Sequence, residues 1–114
     1  MTLYILNTSA IPLAEAVSEA DVKLRRITVS EAKQIISLAS KVVSAVGHEA
    51  TAKLLSQILS YPVECNRIAI SMHPGDSAIH FVLKTRLPEG KILSLYELER
   101  LEYSLIYSQV LLPP

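Results

Sequence analysis

Three short stretches of the chain carry the residue types that phosphate chemistry needs. Gly47-His48-Glu49-Ala50-Thr51 sets a histidine directly behind a glycine, where one apolar-periodic segment gives way to another. Asn66-Arg67 and Arg86-Leu87-Pro88-Glu89-Gly90 add two arginines and a glutamate at expected strand ends. An RNA-like phosphodiester brings its own nucleophile, the 2′-OH. A protein that cuts it must align that hydroxyl, neutralise the phosphorane charge and protonate the departing 5′-oxygen. A histidine titrating near neutrality suits the proton transfer, and arginines suit the phosphate because a planar guanidinium grips two oxygens at once. A helix start adds directed N–H donors. His48, Arg67 and Arg86 fit these roles, with Glu89 orienting an arginine, the histidine or a ribose hydroxyl.

Each of these residues also has an ordinary structural account. A histidine at a helix start commonly caps it, and Gly47 suits a helix stop. Arg67 and Arg86 fit solvated strand-end charges, and Glu89 fits a turn. His80, mid-strand among apolar neighbours, reads as a satisfied sheet residue, and His73 as part of a turn. The Lys23, Arg25 and Arg26 cluster reads as a strand edge that discourages aggregation. There is no P-loop, Rossmann glycine fingerprint, Cys-x-x-Cys pair or nucleophile elbow. His48, His73 and His80 do not stand at metal-ligand spacings with nearby carboxylates, so no metal site is expected.

Bulk properties narrow the field. At 114 residues the chain suits one domain with a real core, spanning 1–114. Half of it is hydrophobic, yet no run approaches the roughly 18 consecutive apolar residues of a membrane span. The opening Met-Thr-Leu-Tyr-Ile-Leu-Asn lacks a basic region and reads as a strand, not a signal peptide. The lone Cys65 forms no internal disulfide and suggests a reducing, cytoplasmic setting. Eleven basic residues cancel eleven acidic ones. Binding to long duplex nucleic acid is therefore not expected, because its affinity comes largely from a basic excess. A small phosphodiester needs only a few converging arginines. So high an apolar fraction in a short chain also suggests a buried subunit interface.

The elements that must position these residues follow from periodicity. Leu3–Leu6 is an apolar run closed by the polar turn Asn7-Thr8-Ser9. Pro12–Ala20 is a helical turn or an irregular crossing. Val22–Val29 alternates as a strand. Thr28 and Glu31 have capping-box spacing, and Ile35, Ile36, Ala39, Val42, Val43 and Val46 continue one stripe, predicting a helix that ends at Gly47. A second helix begins at His48 and ends at Tyr61-Pro62. Asn66–Met72 and Ser77–Arg86 read as an antiparallel hairpin joined by a type II turn at His73-Pro74-Gly75-Asp76. Ser94 and Glu97 open a short helix through Leu101, and Tyr103–Leu112 is a last strand. The fold class is α+β (mixed α/β), about five strands in a mixed sheet packed against helices.

The same residues carry a family likeness. The Leu-Tyr-Ile-Leu-Asn opening, Gly47-His48-Glu49-Ala50-Thr51, Asn66-Arg67-Ile68 and Arg86-Leu87-Pro88-Glu89-Gly90 stand in an order and spacing that resembles the viral anti-CRISPR ring nucleases of type III systems. These are small proteins common in crenarchaeal viruses. The resemblance implies a homodimer that binds cyclic tetra-adenylate and cuts it without metal or cofactor, giving linear di-adenylates with 2′,3′-cyclic phosphate ends. It implies His48 as general acid, Arg86 and Glu89 as active-site partners, and Arg67 near the ligand. Asn7 matches a polar ligand contact after the first strand, with Ser9 a weaker match and Gly47 preceding the acid. Val82 and Lys84 depart from relatives that carry a glutamine on this strand. A twofold axis matches a ring of four identical nucleotides, and the Ile11–Ala20 segment is the expected lid. The alternative reading is a non-catalytic cyclic-nucleotide sponge or a small viral nucleic-acid-binding protein.

Overall fold

A short first strand is wedged between two parallel neighbours. In the computed structural model, which describes residues 1–84 and 102–113, β1 (Leu3–Leu6) runs parallel to β3 (Val42–Ser44) on one side and to β4 (Ser77–Leu83) on the other. β4 then pairs antiparallel with β5 (Tyr103–Val110), which pairs antiparallel with β2 (Val22–Ile27). The sheet order is β2-β5-β4-β1-β3. α1 (Val29–Leu38) and α2 (Glu49–Leu59) complete the described elements. The expected α+β class and five-stranded mixed sheet are both observed.

Both faces of the sheet are covered. On one, Ile5, Ile79, Phe81 and Leu105 pack with Ala32 and Ile36 of α1 and Leu55 and Leu59 of α2. On the other, Leu6, Ala78 and Val110 gather around Met72, with Ile11 and Ala20 of the irregular crossing packed against them. This explains the unbroken buried run Ala78-Ile79-His80-Phe81 in β4, the pattern of a central strand with two covered faces.

The start of α1 is as the sequence predicts. Thr28 accepts from the Glu31 N–H, and the Glu31 carboxylate accepts from the Thr28 N–H. Its end is not. α1 stops at Leu38, and Val42-Val43-Ser44, predicted to continue the helix to Gly47, forms β3 instead. Two adjacent β-branched valines favour extended backbone. Pairing Leu3 with Val42 and Ile5 with Ser44 also satisfies β1 along its free edge.

The predicted hairpin is corrected as well. Asn66–Met72 is not a strand. β4 already has β1 and β5 as neighbours, so no edge remains for a hairpin partner. The segment instead touches the fold at the bridge of Leu13 with Met72, and Cys65 just before it bridges Val46. The turn itself is correct: the Asp76 N–H donates to the His73 carbonyl at 2.9 Å, and Gly75 takes φ +98°, as the third residue of a type II turn does. Pro12–Ala20 is an irregular crossing, tied down where the Ala14 N–H donates to Met72 and the Met72 N–H to Pro12. The predicted ends of β2 at Val29 and of the last strand at Leu112 shorten to Ile27 and Val110. The predicted helix from Ser94 to Leu101 and the extension of β4 to Arg86 lie outside the described residues.

Candidate functional site at the carboxyl ends of the parallel strands

Because β1, β3 and β4 run parallel, their carboxyl ends lie at one edge of the sheet, where ligands of open parallel sheets bind. Two sequence-predicted groups lie there. Asn7 and Ser9 follow β1 directly and are exposed. Gly47 and His48 follow β3 and lead into α2. The register fixes their relation: Ile5 pairs with Ser44, and the Ala45 N–H donates to the Ile5 carbonyl at 2.9 Å.

His48 is the N-cap of α2, in extended backbone, with Nδ1 accepting from the Thr51 N–H at 3.3 Å. A backbone N–H can only donate, so the neutral ring must carry its proton on Nε2. Among the described residues Nε2 has no hydrogen-bond partner. The buried Thr51 hydroxyl lies 3.1 Å from Nδ1. With a proton on Nδ1 as well, that nitrogen is placed to donate a hydrogen bond to the hydroxyl oxygen. The side chain therefore has an oriented ring, a free donor nitrogen and a partner for either protonation state.

The turn that carries His48 is clamped from the side by residues 64–67. The Ser44 hydroxyl donates to the Glu64 carbonyl at 2.6 Å, Asn66 Nδ2 donates to the Ser44 carbonyl at 2.9 Å, and the Asn66 N–H donates to the Val46 carbonyl at 2.8 Å. Arg67 Nε donates to the Gly47 carbonyl at 2.7 Å. A Cβ on Gly47 would stand 3.3 Å from Arg67 Cγ, so glycine here lets the arginine lie close over the backbone. Gly47 is thus a close-approach residue, not the predicted helix stop. With Nε committed to Gly47, the terminal guanidinium nitrogens of the exposed Arg67 have no protein partner among the described residues.

The Asn7-Thr8-Ser9 turn has its own fastening. His80, 1% exposed, donates from Nδ1 to the Thr8 carbonyl at 2.7 Å and accepts at Nε2 from the Ser108 hydroxyl, also at 2.7 Å. Burial holds its pKa below the ordinary 6.5, partly offset by the bond to Thr8, so the ring is neutral and one nitrogen donates while the other accepts. The sequence reading of His80 as a satisfied sheet residue agrees with this geometry. Among the described residues no three His, Cys, Asp or Glu side chains cluster closely enough to hold a metal ion.

The structure therefore joins Gly47, His48 and Arg67 in one unit and sets Asn7 and Ser9 at the same sheet edge. Arg86 and Glu89 lie outside the described residues. Sequence reasoning gave Thr51, Asn66 and His80 no supporting role. For Thr51 a signal existed: it stands three residues after the N-cap, the spacing at which a cap meets its N–H.

This chain matches the STIV B116-like family over residues 3–105. It belongs to that family. It is 40% identical over 104 residues to protein 26 of Sulfolobus islandicus filamentous virus, covering 90% of this chain and 86% of that one. It is 39% identical over 109 residues to ORF117 of Acidianus two-tailed virus, covering 94% and 92%. Among solved structures, B116 of Sulfolobus turreted icosahedral virus superposes with a TM-score of 0.84 at 21% identity, covering 96% of this chain and 99% of that one. These three relatives are viral proteins, and the fold shared with B116 extends across nearly the whole of both chains. Among the described residues, no helix is long and apolar enough to cross a membrane.

Proposed function

We propose that this protein is a metal-independent ring nuclease that opens cyclic tetra-adenylate and thereby inhibits type III CRISPR defence. The observation that carries the reading is His48: a helix N-cap at the carboxyl edge of parallel strands, its Nε2 without a partner among the described residues and its Nδ1 held by Thr51. Beside it, Arg67 is fixed through Nε and keeps its terminal nitrogens for a phosphate.

In the proposed reaction the ribose 2′-oxygen attacks the adjacent phosphorus and loses its proton to water. The bond from phosphorus to the 5′-oxygen breaks, and protonated His48 delivers the Nε2 proton to that oxygen. The products carry a 2′,3′-cyclic phosphate and a free 5′-hydroxyl. The N–H groups at the start of α2 and the guanidiniums of Arg67 and Arg86 stabilise the extra negative charge of the phosphorane. Glu89 orients Arg86, the histidine or a ribose hydroxyl. Asn7 and Ser9 contact the ring from the end of β1. The ring sits on the twofold axis of a homodimer, so that two opposite phosphates meet equivalent His48 residues.

The test is incubation with labelled cyclic tetra-adenylate in EDTA, with the products resolved. Linear di-adenylates ending in 2′,3′-cyclic phosphate are the expected result. A bound but intact ring identifies a sponge instead, and no binding at all removes the reading.

A further inference from the structure

The loop that leaves β1 has little to hold it. Asn7, Thr8 and Ser9 are all exposed. Within the turn, the Thr8 hydroxyl accepts from the Ala10 N–H at 3.2 Å, a local bond that ties the turn to itself and not to the sheet. Among the described residues, its one hydrogen bond to another element is the 2.7 Å bond from His80 Nδ1 to the Thr8 carbonyl. His80 is a poor choice for a merely space-filling position. It sits at the middle of the central strand, 1% exposed, opposite Leu6 on one side and Ile106 on the other, and an aliphatic side chain would fill that space without the desolvation cost of an imidazole. What the imidazole adds is a rigid link with a polar atom at each end. Its far end accepts from the Ser108 hydroxyl at 2.7 Å, and Ser108 is fully buried in β5. The chain of bonds therefore runs from the loop, through β4, to a serine on the strand beyond. A planar ring held at two nitrogens cannot rotate, so the position of the Thr8 carbonyl is set by the sheet and not by the loop.

We propose that His80 is a positioning residue for the Asn7–Ser9 loop, fixing through Thr8 where Asn7 and Ser9 meet the bound ring. That those two residues meet the ring rests on the function proposed above; that His80 holds the loop does not. Its effect belongs to ligand capture and not to proton transfer, because His48 and its Thr51 partner lie on a different connection, between β3 and α2.

Two amide substitutions separate the bonds. In His80→Asn the side-chain nitrogen falls near the position of Nδ1 and can still donate to Thr8, whereas in His80→Gln the amide falls near Nε2 and reaches Ser108 instead. His80→Leu removes both bonds and Ser108→Ala removes only the far anchor. Two quantities are measured: hydrogen exchange of the Thr8, Ser9 and Ala10 amides in ligand-free protein, and kcat and KM for cyclic tetra-adenylate. His80→Leu and His80→Gln are expected to speed exchange at those amides and raise KM by about tenfold, the loss of one well-placed hydrogen bond, with kcat held within about twofold of the native enzyme. His80→Asn should restore both quantities most of the way, and Ser108→Ala should fall between. Loop exchange unchanged in His80→Gln and Ser108→Ala overturns the proposal, as does a KM that His80→Asn fails to rescue. If His80→Leu does not fold, the two amide variants and Ser108→Ala decide the matter. If the native protein neither binds nor cuts the ring, the proposed function fails, and loop exchange still decides whether His80 holds the loop.

Discussion

His48 has two duties in two protonation states: the neutral ring caps α2 by accepting from Thr51 at Nδ1, and the protonated ring of the proposed reaction presents the Nε2 proton to the leaving oxygen. The duties separate by substitution, because asparagine is among the best N-caps but has no titratable proton near neutrality. His48→Asn should therefore unfold in denaturant at about the same midpoint as the native protein while its single-turnover cleavage falls roughly 10²- to 10⁴-fold, the usual worth of a general acid. Cleavage that survives the substitution removes His48 from the chemistry. The buried His80 gives a different pH signature. Burial depresses its folded pKa below 6.5, so the folded state resists a proton that the unfolded chain accepts. Its contribution to stability is fully present above the unfolded value and is lost as pH falls below it and through the folded value. Denaturant midpoints compared at pH 7.5 and pH 5 should fall for the native protein and fall less for His80→Asn. An identical fall in both would show that this ring is not the source.

At the scale of elements, the parts legible in the sequence are those fixed by local chemistry. Thr28 and Glu31 predict the start of α1 because the capping box is closed within four residues, and its backbone N–H at Thr28 holds the Glu31 carboxyl below its ordinary 4.5. Thr28→Ala should cost about 1 kcal/mol in denaturant unfolding, and an unchanged midpoint would mean that α1 is held by packing alone. The His73–Asp76 turn was legible for the same reason, and Gly75 at φ +98° is strained by any side chain. Gly75→Ala should destabilise the fold by about 1 kcal/mol or more, read again as a midpoint shift. What was not legible depends on partners far away in the chain. Val42, Val43 and Val46 fit a helical stripe as well as they fit a strand and its exit. Only the pairing with Leu3–Ile5 decides between them. Asn66–Met72 has the alternation of a strand, but β4 is occupied on both sides, so the segment became the clamp on Ser44–Gly47. Of the candidate site, Gly47, His48 and Arg67 were named from the sequence and are joined in the structure, and His48 was readable even as a cap. The way Asn66 and Arg67 seize the turn in front of it was not, because that contact joins positions 20 residues apart.

For the molecule as a whole, a net charge of zero and the small number of arginines at the site fit a ligand with few phosphates better than a long polyanion. One chain offers one His48, and a ring with fourfold repetition offers four chemically equal phosphates. The proposed homodimer, about twice 12.5 kDa in mass, makes two of them reactive and leaves two as spectators. This arrangement has a consequence that neither a monomeric nuclease nor a sponge shares. Native protein and His48→Asn can be co-expressed with different tags and the mixed dimer isolated by two affinity steps. That dimer holds both copies of Arg67 and both Asn7–Ser9 loops, so it should bind the ring as the native dimer does, but it has one acid. With enzyme in excess, the native dimer should pass through linear tetra-adenylate only briefly on the way to di-adenylates. The mixed dimer should open the ring at about half the native rate, the statistical factor for one of two equal sites, and then accumulate linear tetra-adenylate. The second cut must then wait for the product to dissociate and rebind in the other orientation. Di-adenylate formed by the mixed dimer without that lag would show that one subunit suffices for both cuts, and the twofold arrangement would be wrong even if the nuclease activity were right.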